Sequence, residues 1–193
     1  MTTANKVTII RILLVPFFIV QVLYYVDSGH EYHRLLALLA FAVAAISDGV
    51  DGYIARRYNQ RSELGAILDP MADKLLLVSG IVLLSLDNGE SLPHIPMWLT
   101  VTILSRDVLL LLGLVLIQLT VGKAKVKPIV AGKMATFLQM VMVIWGLLKW
   151  NEAFLVWIAA AATLFTGISG AYYIYDGIRQ LSASPASAAS PEQ

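Results

Sequence analysis

Four aspartates lie within two apolar segments of the chain, where inserting a charged side chain into a membrane costs at least about 2.5–3.5 kcal/mol. They are Asp48, Asp51, Asp69 and Asp73, in the stretch DGVDGYIARRYNQRSELGAILDPMAD. Two carboxylates about 4 Å apart repel by about 4 kcal/mol at an effective dielectric near 20, so a cluster needs protons or cations. An all-oxygen ligand set favours Mg²⁺ or Mn²⁺, and four carboxylates balance two such ions. Paired ions of this kind support in-line displacement at phosphorus.

The spacing of these residues is that of helix faces. The positions at offsets 3, 4, 7 and 8 from Asp48 are Asp51, Gly52, Ala55 and Arg56. Gly65, Asp69 and Asp73 follow at intervals of four on the next segment. Residues so spaced share one face of a helix, and a linker of eight residues makes the two helices antiparallel neighbours. We therefore expect the four carboxylates to converge, with the small residues leaving room for a ligand.

The composition predicts a membrane protein. Of the 193 residues, 58% are hydrophobic and 14% charged, against about 45–50% and about 25% in soluble domains. Six apolar runs lie at roughly residues 7–26, 34–56, 66–86, 96–120, 131–149 and 153–176. Helices satisfy every backbone polar group in lipid. The predicted fold is all-α: a polytopic membrane protein with a bundle of six transmembrane helices.

The distribution of Lys and Arg between the runs predicts the orientation. One side carries Lys6, Arg11, Arg56, Arg57, Arg61, Lys123, Lys125, Lys127, Lys133 and Arg179. The other side carries only Arg34 and Lys149. The positive-inside rule then places both termini in the cytoplasm and the carboxylates near the cytoplasmic end of the bundle. Residues 1–180 form the predicted membrane domain, and residues 181–193, which are rich in Ser, Ala and Pro, a disordered cytoplasmic tail.

Charge and cysteine content exclude several classes of function. The formal net charge is only +1, so nothing in the composition indicates a nucleic-acid partner. The chain has no cysteine, which excludes disulfides, zinc-thiolate sites, iron–sulfur clusters and a thiol nucleophile.

An alternative for the aspartates is structural pairing with Arg56, Arg57, Lys74 or Arg106, or a cation or proton pathway. Four carboxylates at helical spacing with interleaved glycines favour the metal site.

A second candidate site centres on Arg106, which lies well inside the fourth apolar run. An arginine at that depth is expected to face a pocket inside the bundle. Together with Lys127 and Lys133 it could form a cationic socket for an acidic acceptor head group. The alternative for the neighbouring Lys123 and Lys125 is that they determine topology or bind anionic lipid.

The aspartate pattern resembles that of the CDP-alcohol phosphatidyltransferases: D-x-x-D-G-x-x-A-R, eight residues, then G-x-x-x-D-x-x-x-D. Every fixed position is filled here. The resemblance implies that the hydroxyl of an acceptor alcohol attacks the β-phosphorus of CDP-diacylglycerol and releases CMP. It implies that Asp48, Asp51, Asp69 and Asp73 hold two Mg²⁺ or Mn²⁺ ions and that Asp73 is the catalytic base. It assigns the CDP-lipid to Gly52, Ala55, Arg56 and Gly65.

The stretches NKVTIIRILLVPFF, LGAILDPMADK and SRD with a later GK resemble the branch that makes anionic glycerophospholipids. Glycerol 3-phosphate is the favoured acceptor, as in phosphatidylglycerophosphate synthases; the alternative is phosphatidylglycerol, as in cardiolipin synthases. The resemblance also implies the bacterial inner membrane and a homodimer, and Gly167 and Gly170 are expected to permit close helix contacts. Two rivals from other classes are a cation or proton transporter and a noncatalytic membrane scaffold.

Overall fold

The computed structural model describes residues 3–58, 63–121 and 129–182, and in these ranges the chain forms six α-helices and no strand. They are α1 (Thr3–Ser28), α2 (Glu31–Tyr58), α3 (Glu63–Ser85), α4 (Met97–Val121), α5 (Val130–Leu147) and α6 (Glu152–Ser182). The all-α prediction is confirmed. The first and last helices, α1 and α6, are longer than the predicted apolar runs, because helical hydrogen bonding continues through polar residues such as Arg179. Leu181 and Ser182 of the predicted tail belong to α6, and residues 183–193 lie outside the described residues.

Three helical segments in the described ranges are long and apolar enough to cross a membrane: Ile9–Ser28, Val130–Leu147 and Glu152–Asp176. A shorter apolar segment covers Lys74–Ser85. Large apolar side chains also face outward, with Leu13 64% and Trp157 73% exposed, as expected where hydrocarbon and not water surrounds the helices. These features fit a membrane protein, and the count of six spanning helices stays a prediction.

The chain divides into two compact units. Unit 1 comprises Met1–Pro96 and Met140–Val156, and unit 2 comprises Met97–Gln139 and Trp157–Gln193. Unit 1 therefore contains α1, α2, α3 and the second half of α5. Unit 2 contains α4, the first half of α5 and most of α6.

In unit 1, α1 packs against α2 and α3. Its buried face includes Val15, Phe18 and Val22, which recur every three or four residues as a helix face requires. Phe18 meets Phe41 of α2 with ring centroids 5.5 Å apart.

Arg11 extends this buried face by one turn and contradicts the sequence analysis. The charge distribution assigns Arg11 to a connecting segment, but its side chain is only 1% exposed within α1. Arg11 precedes Val15 by four residues, so the same helical periodicity that buries Val15 turns Arg11 inward. Arg11 therefore lies within α1 and not in a connecting segment, and its place on the cytoplasmic side stays a prediction.

Two glycines allow α3 and α5 to approach closely within unit 1. A Cβ atom at Gly80 of α3 would lie 2.7 and 2.9 Å from the two γ-carbons of Val143 in α5. A Cβ atom at Gly146 of α5 would lie 2.7 and 2.9 Å from the two δ-carbons of Leu84 in α3. We call these reciprocal contacts the glycine seam.

A chain of hydrogen bonds surrounds the Tyr25 hydroxyl near the end of α1. Lys149 Nζ donates to this hydroxyl over 3.3 Å, and the hydroxyl donates to Glu31 Oε1 over 3.3 Å. Arg34 pairs with Glu31 Oε2 at 2.6 Å and donates to the carbonyl of Leu147, the last residue of α5, over 3.2 Å. The carbonyls of a helix C-terminus need such donors. Arg34 and Lys149, the two exceptions to the one-sided charge distribution, therefore connect α1, α2 and the end of α5.

In unit 2, the buried face of α4 carries Leu99, Ile103 and Asp107, one helical turn apart. The buried residues of α6 include Thr166 and Ser169, both at 0% exposure. The core of this unit therefore contains polar groups, which must find partners there because unpaired polar groups are costly to bury.

We expect Gly80→Ala to destabilise the protein, because the new methyl group would overlap the stiff, β-branched Val143 side chain. Overpacking of this kind costs about 1–3 kcal/mol. Thermal unfolding in detergent would measure it as a lowered apparent melting temperature.

Gly167→Ala in α6 is the matched control, because nothing lies within 4 Å of a Cβ atom at Gly167. There the gain in helix propensity, about 1 kcal/mol, should leave the melting temperature unchanged or raise it. Equal effects of the two substitutions would contradict the close approach of α3 and α5.

Candidate active site

The carboxylate motif lies on α2 and α3, two helices of unit 1 that contact each other. Asp48 and Asp51 belong to α2, and Asp69 and Asp73 belong to α3. The helical backbone on which the spacing argument depends is therefore present on both sides of the linker. The side chains of residues 48–73 are not among those the structure describes, so their shared face stays a prediction.

The positions expected to bind the CDP-lipid fall in the same two helices. Gly52, Ala55 and Arg56 lie in the last turns of α2, and Gly65 lies in the first turn of α3. Their side-chain surroundings are likewise outside the described residues. The structure thus places the motif's backbone and leaves the separate roles as predictions.

Metal binding can be judged only from the chemistry of the donors. Among the side chains that the structure describes, no three His, Asp or Glu residues form a group able to hold a metal ion. The four motif aspartates are not among those side chains. Their carboxylate oxygens are the ligands that Mg²⁺ and Mn²⁺ prefer.

Arg106 of α4 lies inside unit 2, with its side chain only 10% exposed. The expectation that it faces the protein interior is confirmed. Its guanidinium donates from Nη1 to Asp107 Oδ1 over 2.6 Å and from Nη2 to the Ser169 hydroxyl over 2.5 Å. Arg106 is therefore paired with its neighbour in sequence and with a residue of α6.

Two glycines make room for this arginine. A Cβ atom at Gly170 of α6 would lie 3.3 Å from Arg106 Cγ. A Cβ atom at Gly132 of α5 would lie 3.1 Å from Ser169 Oγ and 3.5 Å from Arg106 Nη2. Larger residues at either position would push against the arginine or its partner. We call Arg106, Asp107, Gly132, Ser169 and Gly170 the arginine pocket.

The arginine pocket lies beside the first turn of α5. Gly132 N and Lys133 N donate to the carbonyl of Ile129, at 3.1 and 3.4 Å, and so begin the helix. The amide of Ile129 donates to the Tyr173 hydroxyl of α6 over 3.4 Å. A helix N-terminus carries a partial positive charge, of about half a unit. The guanidinium of Arg106 therefore lies next to a second source of positive potential.

Arg106 retains unused hydrogen-bonding capacity. Its Nε atom is buried and has no hydrogen-bond partner among the residues that the structure describes. A guanidinium has five N–H donors, and orphaned buried donors are rare in folded proteins. The pocket thus offers a buried donor that an incoming oxyanion can satisfy.

The two lysines predicted to join Arg106 have different outcomes. Lys133 lies in the first turn of α5, directly after Gly132, and its side chain is exposed. Within the described ranges no ion pair or side-chain hydrogen bond links Lys133 to the arginine pocket. Lys127 falls in residues 122–128, outside the described residues.

Sequence reasoning did not connect Ser169 or Gly132 with Arg106, nor Tyr173 with the first turn of α5. Ser169 is 63 residues away from Arg106 in the chain, and no local spacing connects them. The available signal was a serine between Gly167 and Gly170 of α6.

Residues 1–166 match the CDP-alcohol phosphatidyltransferase family. Over 182 residues the chain is 36% identical to a Mycobacterium tuberculosis protein provisionally named phosphatidylglycerophosphate synthase, covering 92% of this chain and 82% of that relative. Over 179 residues it is 34% identical to the CDP-diacylglycerol–glycerol-3-phosphate 3-phosphatidyltransferase of Blochmanniella floridana, covering 87% and 86%. Over 168 residues it is 36% identical to a Mycobacterium bovis protein provisionally named cardiolipin synthase, covering 81% and 75%.

The family match includes both motif helices and the whole of α4 and α5. The alignments with the three relatives also cover most of each relative's length. Motif, helical architecture and similarity agree, and the chain belongs to the CDP-alcohol phosphatidyltransferase family.

Proposed function

We propose that the protein transfers the phosphatidyl group of CDP-diacylglycerol to glycerol 3-phosphate and releases CMP. The observation that carries this proposal is the complete carboxylate motif on two contacting helices. The names of the Mycobacterium tuberculosis and Blochmanniella floridana relatives support glycerol 3-phosphate as the acceptor.

The reaction is a single displacement at phosphorus. The acceptor's hydroxyl oxygen forms a bond to the β-phosphorus, and the bond from that phosphorus to the oxygen shared with CMP breaks. CMP leaves with the shared oxygen, and the hydroxyl proton passes to the carboxylate of Asp73. The motif contains no Ser, Cys or His nucleophile, which supports direct attack.

Asp48, Asp51, Asp69 and Asp73 would hold two Mg²⁺ or Mn²⁺ ions. When bound, such ions neutralise phosphate charge and stabilise the attacking and leaving oxygens. Arg56 adds a fixed positive charge for the diphosphate, and Gly52, Ala55 and Gly65 leave space for the cytidine and its phosphates.

Arg106 would bind the phosphate of the acceptor. Three features of the arginine pocket support this assignment: a guanidinium 10% exposed, a buried Nε without a partner among the described residues, and the adjacent N-terminus of α5. Arginine binds phosphate through parallel N–H donors. Lys133, in the same first turn, and Lys127 add positive charge on the approach to the pocket.

Phosphatidylglycerol is the alternative acceptor, which would make the protein a cardiolipin synthase. The Mycobacterium bovis relative, at 36% identity, favours it. Both acceptors carry a phosphate and a primary hydroxyl, so the arginine pocket suits either. The Mycobacterium tuberculosis phosphatidylglycerophosphate synthase relative and the Blochmanniella floridana relative cover 92% and 87% of this chain, and the Mycobacterium bovis relative covers 81%.

The proposed location is the bacterial inner membrane, crossed several times, with both termini and the active site on the cytoplasmic side. The one-sided distribution of Lys and Arg supports this orientation. Arg34 and Lys149, the two cations on the opposite side, have structural hydrogen bonds to the carbonyl of Leu147 and the hydroxyl of Tyr25. A homodimer remains a prediction from the family resemblance.

CMP release by the purified protein in detergent, with CDP-diacylglycerol and Mg²⁺ or Mn²⁺, tests the proposal. We expect release with glycerol 3-phosphate and none with phosphatidylglycerol. The reverse result would identify a cardiolipin synthase, and no release with either acceptor would contradict the proposed function. EDTA should stop the reaction, and excess Mg²⁺ or Mn²⁺ should restore it.

Asp69→Asn should reduce turnover below about 1% of wild type, because an amide cannot replace a charged metal ligand in the transition state. Its elution from a sizing column and its melting temperature should match wild type. Asp87→Asn makes the same chemical change in an exposed turn and should retain full activity. Near wild-type turnover in Asp69→Asn would contradict the metal assignment.

Arg106→Ala should raise the KM of the acceptor about tenfold to a hundredfold and leave the KM of CDP-diacylglycerol almost unchanged. The estimate follows from the loss of charge-assisted hydrogen bonds. Because the variant also removes the partner of Asp107, Arg106→Lys serves as a second variant that keeps the charge but loses the planar fork. Equal changes in both KM values would show that Arg106 does not bind the acceptor.

A further inference from the structure

Ser169 is the residue of α6 that receives the Nη2 end of Arg106. The hydroxyl is 0% exposed, and it accepts the hydrogen bond over 2.5 Å. On the other side of the guanidinium, Asp107 accepts from Nη1 over 2.6 Å. The two ends of one guanidinium are thus held by groups on two different helices.

An arginine side chain held in this way loses most of its freedom before any ligand arrives. A free arginine side chain populates many rotamers, and ligand binding would otherwise have to remove that conformational entropy. The close approach of Gly132 to Ser169 and of Gly170 to Arg106 restricts the side chain further. Asp107 and Ser169 each accept from one of the five N–H donors, and the buried Nε has no partner among the described residues.

We propose that Ser169 is a positioning residue for acceptor binding. Its hydroxyl oxygen fixes the Nη2 end of Arg106, so that Nε and the remaining N–H groups meet the acceptor's phosphate in one orientation. The inference rests on the proposed function, in which Arg106 binds that phosphate. Ser169 lies beyond residue 166, where the family match ends, and it is not part of the carboxylate motif.

The predicted consequence concerns one substrate only. Without the Ser169 hydroxyl, Arg106 would keep its charge and its bond to Asp107 but lose its fixed orientation. The acceptor would then have to order the guanidinium on binding, which weakens its affinity. The CDP-lipid and the chemical step do not use this bond, so their kinetic parameters should not change.

Thr166 provides a matched control one turn earlier on α6. It is also 0% exposed, and its hydroxyl accepts a hydrogen bond from Gln139 Nε2 over 3.4 Å. Thr166→Val therefore deletes a buried hydroxyl from the same helix without touching Arg106. Any effect that arises only from losing a buried polar contact in unit 2 should be seen in both variants.

The test measures steady-state CMP release by the full-length protein. In one series glycerol 3-phosphate is varied at saturating CDP-diacylglycerol, and in the other CDP-diacylglycerol is varied at saturating glycerol 3-phosphate. If the CMP-release assay of the wild-type protein identifies phosphatidylglycerol as the acceptor, phosphatidylglycerol takes the place of glycerol 3-phosphate in both series. We expect Ser169→Ala to raise the acceptor KM about fivefold to twentyfold, because the acceptor must then immobilise the long Arg106 side chain itself. The KM of CDP-diacylglycerol and kcat should stay within about twofold. Thr166→Val should leave all three values within about twofold.

The double variant Arg106→Ala, Ser169→Ala separates this proposal from the proposed function. If Ser169 acts through Arg106, adding Ser169→Ala to Arg106→Ala should change the acceptor KM no further. An unchanged acceptor KM in Arg106→Ala would contradict acceptor binding by Arg106. An effect of Arg106→Ala with none from Ser169→Ala, or equal effects of Ser169→Ala and Thr166→Val, would overturn the positioning role alone.

Discussion

The helices of this protein carry apolar side chains on their outer faces as well as their inner ones, so burial of apolar surface cannot by itself hold them together. Where lipid surrounds a bundle, helix association depends on close packing and hydrogen bonds between helices. Both units show this. In unit 1, the glycine seam brings α3 against α5, and Arg34 and Lys149 connect α1, α2 and the end of α5. In unit 2, Arg106 joins α4 to α6.

The carboxylate motif and the arginine pocket lie in different units. Unit 1 contains the motif helices α2 and α3, with α1 packed against both. Unit 2 contains the arginine pocket, whose charged group is neutralised in part by Asp107. A buried arginine that is already paired costs less to maintain than an unpaired one, and it still has donors for a ligand. Anion binding and helix packing can therefore use one side chain.

Much of this arrangement follows from the sequence, because its signals are local. Hydropathy located all six helices, and the three- and four-residue spacing of the aspartates fell within helices as expected. The depth of Arg106 in an apolar run predicted that it faces inward. Arg11 does not follow the expectation drawn from the charge distribution, which assigns it to a connecting segment, because it lies inside α1 with its side chain buried.

Contacts between distant parts of the chain could not be predicted in this way. Gly167 and Gly170 are the same residue type three positions apart, and both were expected to permit close helix contacts. A Cβ atom at Gly170 would meet Arg106, but one at Gly167 would meet nothing within 4 Å. Which glycine matters depends on the rotation of α6 about its axis, and that rotation is set by packing against residues more than 60 positions earlier in the chain.

The arginine pocket also restricts how its residues can change during evolution. A Cβ atom at position 132 would lie 3.1 Å from Ser169 Oγ, so a larger residue there requires Ser169 to shift by a few tenths of an ångström while it is bonded to Arg106. If Arg106 is lost, neither the glycine at position 132 nor the serine at position 169 is needed to accommodate it. Substitutions at these three positions should therefore accumulate in a preferred order, and homologues should differ at them together more often than at pairs of positions that share no contact.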